Sequence, residues 1–430
     1  MTNYAFTNGY VLNGHEDMKP EKKTVLICNH FIQAIEDPGE IPTGYEVIDL
    51  QGKYLMPGLI NMHVHLPSSG KPQKKQRDTT KLVNIIMSNP ITRAVAYHMC
   101  AGFAKTELMS GVTTIRTVGG LRNYDSHLRD EIKTGKRVGP RILAANEGIS
   151  VPHGHMAGSV AIAATSIEQA VAYVDQVAEE GADLVKLMIT GGVMDAKAKG
   201  VPGELKMAPE MVKACCDEAH KYGFYVAAHV ESTEGVRVAL QNGVDSIEHG
   251  AAPDQEIINL FHQRHAFLCT TLSPALPYAL FDRSISHVSE VEQFNGQVVF
   301  DGIRECSASA LKNNIPIALG NDVGCPYITH YDFWRELVYF KNFVGVSAQK
   351  ALYTATLGNA VLAGISDITG SIDIGKEADL IFTDANPLED LTTLRNICMV
   401  MAGGKLHQHP SIKRNAAIDQ QLDPFLTKTY

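Results

Sequence analysis

The sequence predicts an α/β protein whose larger part is a (β/α)8 barrel of the TIM type. Between residue 58 and about residue 365, strand-like apolar runs alternate with amphipathic helical stretches, the pattern of βα units on a parallel sheet. Eight such runs can be counted, the strand number of that barrel, over a length of about 300 residues. Polar residues that offend the apolar runs sit at their C-terminal ends, where such barrels carry their chemistry. An open doubly wound sheet is the alternative, although no GxGxxG turn follows the first strand.

In chain order, Tyr10–Gly14, Thr24–Cys28 and Tyr45–Leu50 read as short strands, punctuated by Pro38-Gly39 and Gly52. This β-unit buries too little by itself and needs a partner. The eight runs then span 58–66, 112–118, 141–151, 184–190, 225–230, 245–249, 266–272 and 315–320. Between them, Ser166 and Gln169 fit a capping box opening a helix that runs to Gly181. A second helix runs from Ala208-Pro209-Glu210 to Gly223, with proline near its start and glycine after its end.

At 430 residues the chain is too long for one small core and suggests a large domain plus a smaller one. A net charge of −9 argues against nucleic acid or an anionic membrane as the main partner. No apolar run approaches the roughly 20 residues that span a bilayer, and no signal peptide is expected at Met1–Tyr4. Eight cysteines without a CxxC pattern point to a reducing cytoplasm.

The run Pro57–Leu66 contains His63 and His65, spaced i, i+2 and so on one face of a strand, while Val64 and Leu66 take the other. Two imidazoles at a strand end make half a metal site, or else two hydrogen-bonded polar residues at an edge. Lys186 stands inside Leu184–Ile189, where a buried ammonium is costly unless paired or neutralised, or snorkels to a nearby surface. His229 ends Tyr225–His229, His249 ends Asp245–His249, and Asp322 ends Ile315–Asp322. Any one of them could be a satisfied core or loop residue. Together with the histidine pair, on separate strands, they are hard to explain independently.

The HxH strand, the strand-four lysine, the two later histidines and the strand-eight aspartate resemble the amidohydrolase superfamily of metal-dependent hydrolases, over nearly the whole chain. Leu55–Ile60 is similar to the family's entry to its first strand, and Ile374–Ile381 resembles its return into a small β-sandwich. The resemblance implies a sandwich built from both chain ends (residues 1–57 and 368–410) and a barrel over 58–367; residues 411–430 fit neither domain and are expected as a tail that packs across the barrel or a neighbouring subunit. The likeness runs to the prolidase and imidazolonepropionase-related group, on Pro152–Met156, Thr190–Val193 after Lys186, Asp217–His220 and Ser246–Gly250. The chain departs from that pattern at Asn61, Pro152, Thr117 and Asn321, and none of these removes an expected ligand.

The resemblance implies that His63 and His65 bind one divalent metal with Asp322, that His229 and His249 bind a second, and that Lys186, N-carboxylated by carbon dioxide, bridges the two. Zinc is the first choice for these donors, with manganese or cobalt as alternatives. A metal-bound hydroxide would attack an amide carbonyl, with Asp322 taking its proton and delivering it to the leaving nitrogen. His153 and His155 are candidates for polarising the carbonyl or holding the substrate. The family's deaminases lack the strand-four lysine and carry a glutamate three places after the strand-five histidine. Here Glu231 follows His229 by two, which disfavours deamination.

The expected activity is cleavage of a C–N amide bond in a dipeptide (prolidase-like) or an N-acyl amino acid. Ring opening of a cyclic amide, as in imidazolonepropionase, is the alternative, and a non-catalytic scaffold the remote one. The basic loop Ser68–Arg77 suggests a small, carboxylate-bearing substrate, unless the loop is simply solvated. The family also suggests a homo-oligomer.

Overall fold

The computed structural model describes residues 2–72 and 78–429, so residues 73–77 of the basic loop, and the lid reading that uses them, lie outside the described residues. The chain divides into two compact units. One comprises Met1–Asn61, Lys105–Ile115 and Tyr331–Tyr430, the other Met62–Ala104 and Arg116–His330.

Parallel strands form a sheet of seven. Its order is Ala161–Ala163, Gly148–Ser150, Leu184–Met188, Tyr225–Val230, Ser246–His249, Phe267–Thr270 and Ile317–Leu319, with every neighbouring pair parallel. A three-stranded sheet joins Leu59–Val64, Val112–Thr117 and Arg141–Leu143. Each of the eight expected runs holds a strand, but the third breaks in two. Asn146 takes left-handed backbone (φ 59°) between Arg141–Leu143 and Gly148–Ser150, which belong to different sheets. Ala161–Ala163 is an unexpected neighbour of Gly148–Ser150, too short for its periodicity to show in sequence.

The helices follow from local chemistry. Ser166 Oγ accepts from Gln169 N to cap Ile167–Glu179, but Gln169 Oε1 takes the Thr165 amide instead of closing the expected box on Ser166. Pro209 opens Pro209–Lys221, and Gly223 (φ 76°) follows its end, where left-handed backbone is needed. Strand alternation then divides the side chains. Val185, Leu187, Val226, Ala228 and Val230 pack with Val212, Ala219 and other helix residues in the main core. Leu184 and Ala227, on the opposite face, join Val118 and Ala145 in a small interior cluster.

The unit holding both chain ends contains a mixed sheet of eight strands. Lys405–His407, Met399–Ala402, Leu380–Thr383, Tyr54–Pro57, Tyr4–Val11, Glu21–Cys28 and Phe31–Glu36 follow in order, and Glu46–Asp49 also pairs with Tyr4–Val11. Leu380–Thr383 runs antiparallel to Tyr54–Pro57, so the N-terminal β-unit has its partner at the far end of the sequence. Phe6 and Phe382 meet there with ring centroids 4.8 Å apart. The tail packs in this same unit. Arg335 bonds Asp419 (3.0 Å) and Asp423 (2.7 Å) of the tail as well as Asp332 (3.2 Å). Among the described residues no helix is long and apolar enough to cross a membrane.

Candidate metal centre

Lys186 shares its strand face with Leu184, and His229 shares the same interior face with Ala227. The register sets Met188 beside His229, His229 beside Glu248, and Val230 beside His249. His249 itself takes φ 69°, and this left-handed turn brings its ring beside His63 and His229, at centroid distances of 4.9 and 4.7 Å. Asp322 (φ 50°) and His153 (φ 61°) are likewise left-handed. Such strain costs about 1–3 kcal/mol per residue and gathers at functional sites. Close approach matters too: a Cβ on Gly320 would stand 2.5 Å from His63 Cβ, so glycine lets the eighth strand lie against the first.

Asp322 Oδ1 lies 3.5 Å from His63 Nε2 and 3.3 Å from His65 Nε2. His63, His249 and Asp322 each offer a ligand atom, all within 4.8 Å of one another, and His229, Glu231 and His249 form a second such group. The far sides of the rings are held. His65 Nδ1 donates to Gly119 O (2.8 Å), and His63 Nδ1 donates to Glu248 Oε2 (2.7 Å). His249 Nδ1 pairs with Thr271 Oγ1 (2.7 Å). Each bond turns a ring's Nε2 towards the interior, the usual second layer of a metal site.

Burial governs the titration. It pushes the His63 imidazole down to about 4, with Lys186 adding to the effect. It also holds His229 and His249 well below the ordinary histidine value. For Asp322 burial acts upward, but His63, His65 and His249 outweigh it and hold the carboxyl well below the usual range. Neutral His63 therefore turns an Nε2 lone pair towards an ionised carboxylate oxygen, acceptor against acceptor. A cation resolves that conflict. Lys186 is 1% exposed, its Nζ has no hydrogen-bond partner among the described residues, and burial lowers its pKa to about 8. The donor set and this orphaned buried amine fit a metal centre with a modified lysine.

Four more residues belong here. Glu248 takes Arg116 Nη2 on Oε1 (2.6 Å) and His63 on Oε2, so both of its oxygens are engaged and it positions His63. Arg116 stands among three threonines on Val112–Thr117, so it interrupts no apolar run of the kind that marks Lys186. His155 stacks on His229 (3.9 Å, 4°) with its Nδ1 2.6 Å from Asp195 Oδ2, and Asp195 carries no sequence signal. His153, by contrast, is exposed and makes no hydrogen bond, ion pair or ring contact among the described residues. The structure brings His63, His65, Lys186, His229, His249, Asp322 and His155 together and leaves His153 at the surface. Glu231 also joins, its carboxyl raised to about 8 by burial and then by Asp322 and Asp195.

The amidohydrolase family profile matches residues 54–407. The chain belongs to the amidohydrolase family. It is an enzyme acting on carbon–nitrogen bonds, of the prolidase and imidazolonepropionase-related group. A crystal structure from Bifidobacterium longum assigned as a prolidase superposes with a TM-score of 0.86, at 34% identity over 98% of both chains. A Xaa-Pro dipeptidase with methionine in its active site gives 0.82 at 28% identity, covering 95% of this amidohydrolase and all of that chain. Ochratoxinase of Aspergillus niger is 25% identical over 437 residues, 92% of this chain and 85% of its own length.

Proposed function

We propose that this amidohydrolase cleaves the C–N amide bond of a dipeptide or N-acyl amino acid at a binuclear divalent-metal centre. The observation that carries the reading is the convergence of His63 Nε2, His65 Nε2 and Asp322 Oδ1 beside the orphaned Nζ of Lys186. His63, His65 and Asp322 would hold one ion, His229 and His249 the other, and N-carboxylated Lys186 would serve both; zinc suits these donors best. Bound divalent ions supply Lewis acidity towards water and the substrate carbonyl.

The chain's own groups do the rest. Asp322, kept ionised by its histidines, takes a proton from the attacking water and returns it to the amide nitrogen as that nitrogen leaves. His155, fixed by Asp195, presents Nε2 to the carbonyl oxygen. Burial of the strand ends keeps bulk water from the reacting groups. The parallel strands would close as an eight-stranded barrel, a reading supported by the Val64–Val323 parallel bridge and the 2.7 Å bond from Asp183 N to Ala144 O. The shared terminal sheet supports the β-sandwich. Eight unpaired cysteines suit a reducing cytoplasm.

Elemental analysis of protein purified without chelator, with Lys186→Ala alongside, tests this reading. Two equivalents of metal are expected, falling sharply in the variant, together with activity on a dipeptide and N-acyl amino acid panel. One equivalent, unchanged by the variant, would refute the bridging lysine.

A further inference from the structure

A cavity of about 410 Å³ adjoins the candidate centre. Its walls are mainly small or aliphatic, with Val201, Ala251, Ala252, Val298 and Val299 among them, and Glu231 lines it as well. No Lys, Arg or His is among the described lining residues. Two further acids line it, but each has a partner: Glu204 bonds Lys206, and Glu234 bonds Arg237 (3.1 Å). Glu231 is different. Its Oε2 is buried and has no hydrogen-bond partner among the described residues, and it lies beside the His155 ring across Gly192. A buried carboxylate oxygen without a partner is stabilised by a cation or a strong donor, and these walls supply neither.

Glu231 belongs to both places at once, because it also lies with His229 and His249 in one of the ligand groups. A group that recognises a substrate from this position must reach an atom close to the scissile carbonyl. In a dipeptide the α-ammonium is one carbon removed from that carbonyl and carries the missing charge. An N-acylated compound offers only an uncharged group there.

We propose that Glu231 recognises the protonated α-amine of the substrate's N-terminal residue, whose side chain enters the aliphatic cavity. The enzyme therefore takes free-amine dipeptides in preference to N-acylated compounds. This rests on the amide-hydrolase reading above, and it narrows the substrate class.

The test compares metal-loaded wild type, Glu231→Gln and the charge-retaining Glu231→Asp on leucyl-alanine and N-acetyl-leucyl-alanine. Calorimetric binding of 3-methylbutylamine against 3-methylbutanol, which need no hydrolysis, runs alongside. The wild type is expected to favour the free amine. Glu231→Gln should cut the free-to-capped kcat/KM ratio by about tenfold or more, mainly through KM, the worth of one charge-assisted hydrogen bond. Glu231→Asp should fall between the two, and metal content should stay equal in all three. An unchanged ratio overturns the proposal. Metal loss in Glu231→Gln also overturns it, by making Glu231 a metal ligand. If neither peptide is cleaved, the amide-hydrolase reading fails. The amine role of Glu231 then stands if the Gln variant loses the amine's binding advantage over the alcohol, and falls if it keeps it.

Discussion

Removing the Glu248 carboxylate should cost the protein both stability and metal. Glu248 is fully buried and Arg116 is 4% exposed, joined at 2.6 Å, with Arg116 Nε also donating to Met62 O (2.7 Å). Glu248→Ala leaves that guanidinium buried and uncompensated, a loss of about 3–5 kcal/mol in pairs of this kind. It also frees His63 Nδ1 from its 2.7 Å bond, so the ring loses its fixed tautomer. Loss of such an outer partner weakens metal binding by about 10–100-fold.

The two effects separate in a second variant. Arg116→Met with Glu248→Leu removes both charges at similar volume, so stability should return to within about 1–2 kcal/mol of wild type while metal affinity stays low. Urea unfolding of chelated protein gives the first quantity, and competition with a chromogenic chelator gives the second. Wild-type metal affinity in the single variant would refute the positioning role. Equal instability in the single and double variants would refute the uncompensated-charge argument.

Other consequences can be checked directly. Lys186→Met should raise the unfolding midpoint of chelated protein, by removing a buried ammonium that makes no hydrogen bond among the described residues, while abolishing metal binding. Glu131 is held down to about 2, first by its bond to Lys136 and, against burial, by Tyr97 and Arg137. A depressed carboxylate contributes stability above its unfolded value, and that contribution disappears as pH falls from about 4.5 towards 2. Glu131→Gln should flatten the urea midpoint's pH dependence in that window. Trp334, the only tryptophan, lies against the Arg335 and Arg395 guanidiniums at 4.5 and 5.7 Å. Arg335→Ala should shift its emission and cost about 3 kcal/mol, since Asp332, Asp419 and Asp423 lose their shared partner. Unchanged emission and stability would place the tail contact outside the fold's energetics.

What was legible in the sequence was whatever interrupts a period of two. Lys186 and His229 stand out because every neighbour on their strands is apolar, and alternation alone assigns them to one interior face. The break at Asn146 was not legible, because asparagine tolerates left-handed backbone without requiring it. Nor was the choice between His153 and His155, which share one short motif. Asp195, 40 residues further on, is what ties His155 to the cluster. His249 reads as a strand residue, yet its φ of 69°, rather than its place in the alternation, aims the ring. The docking of the tail depends on Arg335, far from it in sequence, so no local pattern could reveal it.

The terminal sheet carries a consequence for synthesis. Residue 380 pairs with residue 57, so 323 residues separate partners on adjacent strands. At about 5–20 residues per second, the first strands leave the ribosome roughly 15–65 s before their neighbour exists. Through that interval the Tyr54–Pro57 edge, with Leu55 and Met56 buried in the finished protein, offers open backbone donors and acceptors to any passing strand. The nascent chain thus depends on shielding of its beginning until its end arrives.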